Sequence, residues 1–315
     1  MILVLGGGWT GTRLCLRDAA RFITTTRTVE KLAKLTAMGI NAVQFDLHKE
    51  ETWSNLPPKS DIEATIFTFE ILASHLPELK RLWEIHLATD RPVFCLSTSS
   101  SFQADNHESI VNETAPLTGK SVTGAPLTDR VKGEQWILTK GATLLHLSGI
   151  VGDEEDEGSG NSGYGPPRTI KSFLSKGYIQ NGLKLTNCIH IDDIHKIVLI
   201  LIEKVKEHGY KQDSSGRHPV CGQRILTSCG AFRARDWAQA LNLDPLPEIL
   251  PPHSSMKSSK ILSIVKLLSL LPADYEWTLP VAGVEPVSRG LPTTGPQKTD
   301  ANGAAHDRQW ELLKI

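Results

Sequence analysis

Residues 1–14 constrain this chain more than any other stretch. Ile2 to Leu5 is a short apolar run, the pattern of a parallel strand buried on both faces. It leads directly into Gly6, Gly8 and Gly11, a G-x-G-x-x-G spacing with Trp9 and Thr10 between its last two glycines, and then into Thr12, Leu14 and Leu16, which open a helix. In such a strand–turn–helix the first glycine permits the tight turn, and the second lets a pyrophosphate approach the backbone. The third lets helix and strand pack closely. The first N–H groups of the helix have no partner within it and point toward the phosphates. A Gly-rich turn of purely structural use has the same spacing, but the strand before and the helix after are the context a dinucleotide site requires. Gly6, Gly8, Trp9, Thr10 and Gly11 are therefore the first candidate cofactor residues.

Further along, Phe22 to Thr26 reads as a second strand, followed by Arg27 and a helix over Val29 to Met38. The end of this strand meets the adenosine ribose in a dinucleotide fold. A carboxylate there would accept from the 2′-hydroxyl, whereas Arg accommodates a 2′-phosphate. The chain has no Asp or Glu at that point, only Thr25, Thr26 and Arg27, with Lys31 one turn later. The guanidinium fork suits phosphate, which favours NADP over NAD; the alternative is a solvated Arg capping a loop. Asn41 to Leu47 reads as a third strand. Asp46 either accepts from the adenine amine while Leu47 covers the ring, or it caps a helix beginning near Lys49.

Ile62 to Phe69 and Pro92 to Ser97 read as the fourth and fifth strands, with a helix from Leu76 to Leu87 between them; the fifth ends in Ser97-Thr98-Ser99-Ser100-Ser101. Strands alternating with helices over about 150 residues predict a Rossmann-type, doubly wound parallel sheet with ligands outside the carboxyl ends of its strands.

Composition agrees. At 315 residues, 40% hydrophobic and 22% charged, the chain has the makings of a soluble globule with a sizeable core. A formal net charge of −1 gives no reason to expect nucleic acid or an anionic membrane as partner. Cysteines 15, 95, 188, 221 and 229 form no C-x-x-C pair, so neither a zinc site nor a disulfide framework is expected, and a reducing compartment, the cytoplasm, is. With the first strand at residue 2, no signal or transit peptide is expected before the fold. No apolar run reaches membrane-spanning length.

The opening fingerprint, Asp46-Leu47 and the serine cluster together resemble the extended and atypical short-chain dehydrogenases/reductases, the superfamily of nucleotide-sugar epimerases, dehydratases and their divergent relatives. Three later segments strengthen the resemblance. Arg130-Val-Lys-Gly-Glu-Gln-Trp-Ile-Leu resembles the helix that carries the family's catalytic Lys and, four residues on, a Glu-Gln pair. Leu145-His-Leu-Ser-Gly-Ile-Val-Gly resembles the sixth strand and its ending, and Ile189-His-Ile-Asp-Asp-Ile resembles the segment that opens a helix beneath the substrate domain. The likeness covers roughly residues 1–205 and, more loosely, runs to about 280. It implies a dinucleotide-binding core over 1–165 and the remaining core elements with a small, mostly helical C-terminal substrate lobe over 166–284; from 285 to 315 Pro, Gly, Thr, Asn and isolated charges dominate, the composition of a poorly ordered tail.

The family's chemistry uses a Ser or Thr with a Tyr and a Lys spaced Tyr-x-x-x-Lys. Here Arg130 stands in the Lys place and Pro126 in the Tyr place, and Phe102 replaces a second tyrosine of many relatives. None of the tyrosines at 164, 178, 210 and 275 has Lys four residues later; Tyr164 has Arg168. The resemblance leaves Thr98 or a nearby serine as hydrogen-bond donor and Arg130 as ribose ligand; alternatively Arg130 is a solvated helix-face residue paired with Glu134.

Residues 153–163 are acidic and rich in Gly and Ser, the composition of a mobile surface loop. Arg168, just beyond it, is the basic candidate for a phosphate or carboxylate of a small substrate. His190-Ile-Asp-Asp could suggest a metal or an acid–base pair, but Asp192 stands where it would cap a helix over Ile194 to Val205, and capping is preferred. Ala234 to Leu241 and Lys260 to Leu271 read as further helices. Two functions fit: an NADP-dependent oxidoreductase or epimerase-like enzyme, or an NADP-binding sensor or assembly protein without hydride chemistry.

Overall fold

The computed structural model describes residues 1–87, 90–99, 109–115, 117, 127–152, 178–180, 185–209, 218–240, 248–250, 260–279, 284 and 286–287. The first half carries β1 (Ile2–Leu5), α1 (Trp9–Arg17), β2 (Phe22–Thr26), α2 (Val29–Ala37), β3 (Ala42–Gln44), β4 (Ala64–Phe67), α3 (Leu76–His86), β5 (Val93–Thr98) and the short β6 (Ser109–Val111). There follow α4 (Leu127–Thr139), β7 (Thr143–Leu147), β8 (Gly149–Val151), β9 (Tyr178–Gln180), β10 (Leu185–His190) and α5 (Ile191–His208). The chain then forms β11 (Arg224–Thr227), β12 (Gly230–Arg233), α6 (Ala234–Ala240), β13 (Glu248–Leu250), β14 (Lys260–Leu262) and α7 (Val265–Leu268).

Seven strands form the main sheet in the order β3-β2-β1-β4-β5-β7-β11, and every neighbouring pair is parallel. This is a Rossmann-type α/β fold. Side chains alternate across the sheet, as the two-residue period of a strand requires. Ile2 and Val4 enter the cluster shared with Leu14, Leu35 and the α5 residues Ile194, Ile197 and Leu201. Leu3 and Leu5 enter the opposite cluster with Leu79, Leu82 and Ile137. With both faces covered by helices, β1 has no need of polar alternation. The order reverses between β1 and β4, so the ligand crevice of such a sheet opens there.

Beyond the main sheet, β8, β10 and β12 form a three-stranded sheet, and β9 with β13 and β6 with β14 form two-stranded pairs. Two sequence expectations change. The third strand stops at Gln44 because the Asp46 N–H turns away to donate to Thr52 Oγ1 at 2.9 Å. The expected helix over Lys260 to Leu271 is instead the strand β14 followed by the single turn α7. The amide of Leu262 donates to Asn187 Oδ1 at 3.0 Å, and Lys260–Leu262 pairs with Ser109–Val111. A short apolar run can serve either period, and pairing across the fold decided it. No helix among the described residues is long and apolar enough to cross a membrane. The five cysteines are free thiols.

Candidate nucleotide site

The opening turn joins β1 to α1 through bonds that the neighbouring strands supply. Gly6 lies at φ +116°, and a Cβ there would stand 2.5 Å from Thr68 Oγ1. The Thr68 hydroxyl, just past β4, donates to the Gly6 carbonyl at 2.6 Å, and the Gly6 amide donates to Thr25 Oγ1 at 2.9 Å. The Gly7 amide continues the tie to β2, donating to the Thr25 carbonyl at 2.6 Å. A Cβ on Gly11 would collide with the Gly6 carbonyl and come within 3.1 Å of Val4 Cγ1, so this glycine is needed for helix and strand to close. Gly8 differs. Its φ is −65°, it is exposed, and an added Cβ would meet nothing within 4 Å. Nothing in the described chain requires glycine there. It is the N-cap of α1, and no side chain caps that first turn. Trp9 and Thr10 follow, half-buried, with the Arg13 guanidinium 5.8 Å from the Trp9 ring centre.

Arg27 and Asp46 lie at the neighbouring carboxyl ends of β2 and β3, which pair in the register Thr26 to Gln44. Gln44 Nε2 donates to the Arg27 carbonyl at 3.3 Å. Arg27 is exposed, and its side chain forms no ion pair among the described residues. Lys31 sits beside it, its ammonium pushed below the ordinary lysine range by burial and by the Arg27 charge. Thr28 caps α2 by accepting from the Lys31 amide at 3.3 Å, which fixes the turn carrying both cations. Asp46 is half-buried; one oxygen accepts from the His48 amide at 3.1 Å, closing a local turn rather than capping a helix. Leu47 is 7% exposed and belongs to the apolar cluster that also holds Phe45 and Trp53.

The carboxyl end of β5 has a different character. Arg130 of α4 is 1% exposed. Its Nε donates to Glu134 Oε1 at 2.7 Å, and its Nη2 donates to the Ser97 hydroxyl and, at 2.9 Å, to the Thr98 carbonyl. Ser97 Oγ in turn donates to Glu134 Oε1 at 2.7 Å, and Arg224 of β11 approaches Glu134 Oε2 at 3.7 Å. Burial works to raise the Glu134 carboxyl, but His146, Arg130 and Ser97 more than offset it, and it lies below its usual range. His146, beneath the network, is pushed down to about 4, chiefly by burial. Arg130 is thus paired with Glu134 but not solvated, and among its nitrogens only Nη1 is buried without a hydrogen-bond partner. Gly133, one helical step away, brings α4 so close to the Ile71 carbonyl that a Cβ would collide with it.

The structure brings Gly6, Gly8, Trp9, Thr10, Gly11, Arg27, Asp46, Leu47 and Thr98 to the carboxyl edge of one sheet, from β3 through β1 to β5. Arg130 reaches the same edge from below. Arg168, Pro126, Phe102, Tyr164 and the 153–163 loop lie outside the described residues. Sequence reasoning missed Thr25 and Thr68 as polar ties of the turn and named Ser97 only as one of a serine cluster; for Thr25 the run Thr24-Thr25-Thr26 in an otherwise buried strand was the available signal. It also misplaced one cap. Helix α5 starts at Ile191, and His190 is its N-cap, accepting from the Asp192 amide at 3.2 Å through Nδ1. Asp192 lies inside the first turn, where its carboxylate favours the helix dipole and pairs with Arg17. Among the described residues no group of three or more His, Cys, Asp or Glu is placed to hold a metal ion.

No family model matches the chain, and no curated protein matches it. Solved structures match along most of its length. A conserved protein of unknown function from Silicibacter pomeroyi DSS is 18% identical with a TM-score of 0.58, over 89% of this chain and 94% of that one. UDP-glucose-4-epimerase from Stenotrophomonas maltophila, solved with bound NAD and formylated UDP-arabinopyranose, is 14% identical with a TM-score of 0.60, over 86% and 91%. UDP-glucose 4-epimerase from Thermotoga maritima, solved with UDP-glucose, is 14% identical with a TM-score of 0.58, over 85% and 91%. The chain shares the fold of these epimerase structures.

Proposed function

We propose that the chain binds a nicotinamide dinucleotide at its opening turn, NADP in preference to NAD, and acts as an oxidoreductase of the epimerase or dehydratase kind on a small polar, nucleotide-linked substrate. The observation that carries this reading is Gly8. Gly6 and Gly11 are explained by the protein's own backbone, whereas the open space before Gly8, at an uncapped helix N-terminus, suits an approaching pyrophosphate. Arg27 and Lys31 support the 2′-phosphate, because two neighbouring cations, neither in an ion pair among the described residues although Glu30 shares their turn, gain from a dianion. The epimerase structures of the same fold, one with NAD bound and both with UDP-linked ligands, support the substrate class.

In this reading a bound nicotinamide would supply hydride transfer. Thr98, at the end of β5, and Arg130, whose Nη2 holds the Thr98 carbonyl, would face its ribose, and Arg168 would take an anionic group of the substrate. The residue equivalent to the family's proton donor is Pro126, which has no proton to give. Turnover is therefore expected to be slow, since general acid catalysis contributes typically 10²–10⁴-fold. The test is the loss of protein-bound NADPH fluorescence on adding a panel of UDP-linked keto sugars and simple carbonyl compounds. Slow oxidation that falls further in Thr98→Ala supports the enzyme reading; fast oxidation unaffected by that change contradicts the assignment of the catalytic face.

One observation favours a second reading, an NADP-binding sensor or assembly protein. The cation in the catalytic Lys place is buried and engaged by Ser97, the Thr98 carbonyl and Glu134. Tight NADPH binding without oxidation by any compound of the panel selects this reading.

A further inference from the structure

A buried carboxylate at the start of α5 ties down a segment that spans two apolar clusters. Asp193 is 0% exposed. The Tyr275 hydroxyl donates to its Oδ1 at 3.0 Å, and the Thr278 amide donates to Oδ1 at 3.2 Å and Oδ2 at 3.1 Å. The Thr278 hydroxyl adds a fourth bond at 3.3 Å. The tethered segment carries Tyr275 and Trp277, whose rings meet edge to face at 4.9 Å. Both pack against the main cluster of β1, α1 and α5, and Trp277 also packs against the cluster of Val151, Cys188, Phe232 and Trp237.

We propose that Asp193 is a proton-operated latch that holds Tyr275–Thr278 across the joint between these clusters. Every donor to it is neutral. On its own helix the nearby charges are Lys196 and Asp192, and Asp192 is engaged by Arg17 beside His190. From the tethered segment Tyr275 and Thr278 face it, with Cys229 behind the tyrosine, while Glu276 of the same segment is exposed. No cation pairs with it among the described residues, so removal from water disfavours its ionised form. Burial pushes the carboxyl up from 3.8 to about 6, against the opposing hydrogen bonds.

The sign follows from linkage. The closed latch binds a proton more tightly than the open one, whose carboxyl is in water. Opening therefore becomes easier as pH rises, by about 50-fold between pH 4 and neutrality, and levels off above about 6. The latch is tight in acid and loosens toward neutral pH.

The test is hydrogen exchange at the Thr278 amide in the full chain, corrected for the intrinsic pH dependence of exchange. The wild-type opening constant should rise about 50-fold from about pH 4 to about pH 7. In Asp193→Asn, whose side-chain oxygen still accepts but does not titrate, it should be flat. A flat wild-type profile overturns the proposal, as does an unchanged rise in Asp193→Asn. Should that variant fail to fold, Tyr275→Phe removes a donor that favours the ionised form, so the rise must move to higher pH; an unmoved rise overturns the proposal equally.

Discussion

Gly8 and Gly11 stand three positions apart in one turn, yet they answer to different neighbours. Gly11 faces the Gly6 carbonyl and Val4 within the protein, whereas Gly8 faces open space. Gly11→Ala should therefore cost about 1–3 kcal/mol of stability through overpacking, and urea unfolding of the ligand-free protein will read it. Gly8→Val should leave the melting temperature of the ligand-free protein nearly unchanged while abolishing dinucleotide binding. If Gly8→Val keeps binding and loses stability instead, the turn serves the chain alone. Arg27 carries the second residue-scale prediction. It is exposed and beside Lys31, so Arg27→Ala should weaken NADPH binding by about 1.5–3 kcal/mol, the scale of a charged hydrogen bond, and leave NADH binding nearly unchanged.

Helix α4 is where an element, rather than a residue, decides the outcome. It is clamped to β5 through Arg130, Ser97 and Glu134 and set against the segment after β4 by Gly133. Removing one partner of a buried ion pair leaves the other uncompensated, so Arg130→Ala should cost about 3–5 kcal/mol of stability. The double change Arg130→Met with Glu134→Leu should recover much of that loss, measured by the same unfolding titration; a single variant as stable as wild type would contradict the clamp. The sequence showed α4 through the resemblance of Arg130 to Leu138, with its Glu-Gln pair, to a family helix, and β1, β2, β4 and β5 through compact apolar or β-branched runs. Such signals are local. What stayed hidden was set by partners distant in sequence: Asn187 and Ser109–Val111 turn residues 260–262 into a strand, and Thr52 ends β3 early. In the site, the glycine turn and Arg27 were legible because their spacing is local. The burial of Arg130 was not, because Ser97 lies 33 residues away.

At the scale of the whole molecule, the strand order sets Arg27 and Asp46 at β2–β3, the glycine turn at β1 and Thr98 at β5. Four strand spacings separate β3 from β5, about 19 Å along one edge, room for an extended dinucleotide. Two buried groups on this frame oppose each other in acid. His146 is pushed down to about 4, so the unfolded chain takes up its proton first and stability falls as pH drops from about 6.5 toward 4. Asp193 is pushed up to about 6, so the folded chain takes up that proton first and stability rises over much the same interval. His146→Asn should accordingly lose less stability than wild type on mild acidification, and Asp193→Asn should lose more. Urea midpoints at neutral and mildly acidic pH check both signs. The central claim is that the opening turn is a phosphate-binding site completed by a 2′-phosphate cation pair. It is tested most directly by calorimetric titration of the wild-type protein with NADPH and with NADH. The account predicts saturable binding of both, with NADPH clearly tighter; equal affinity for the two, or no binding of either by the folded protein, would contradict it.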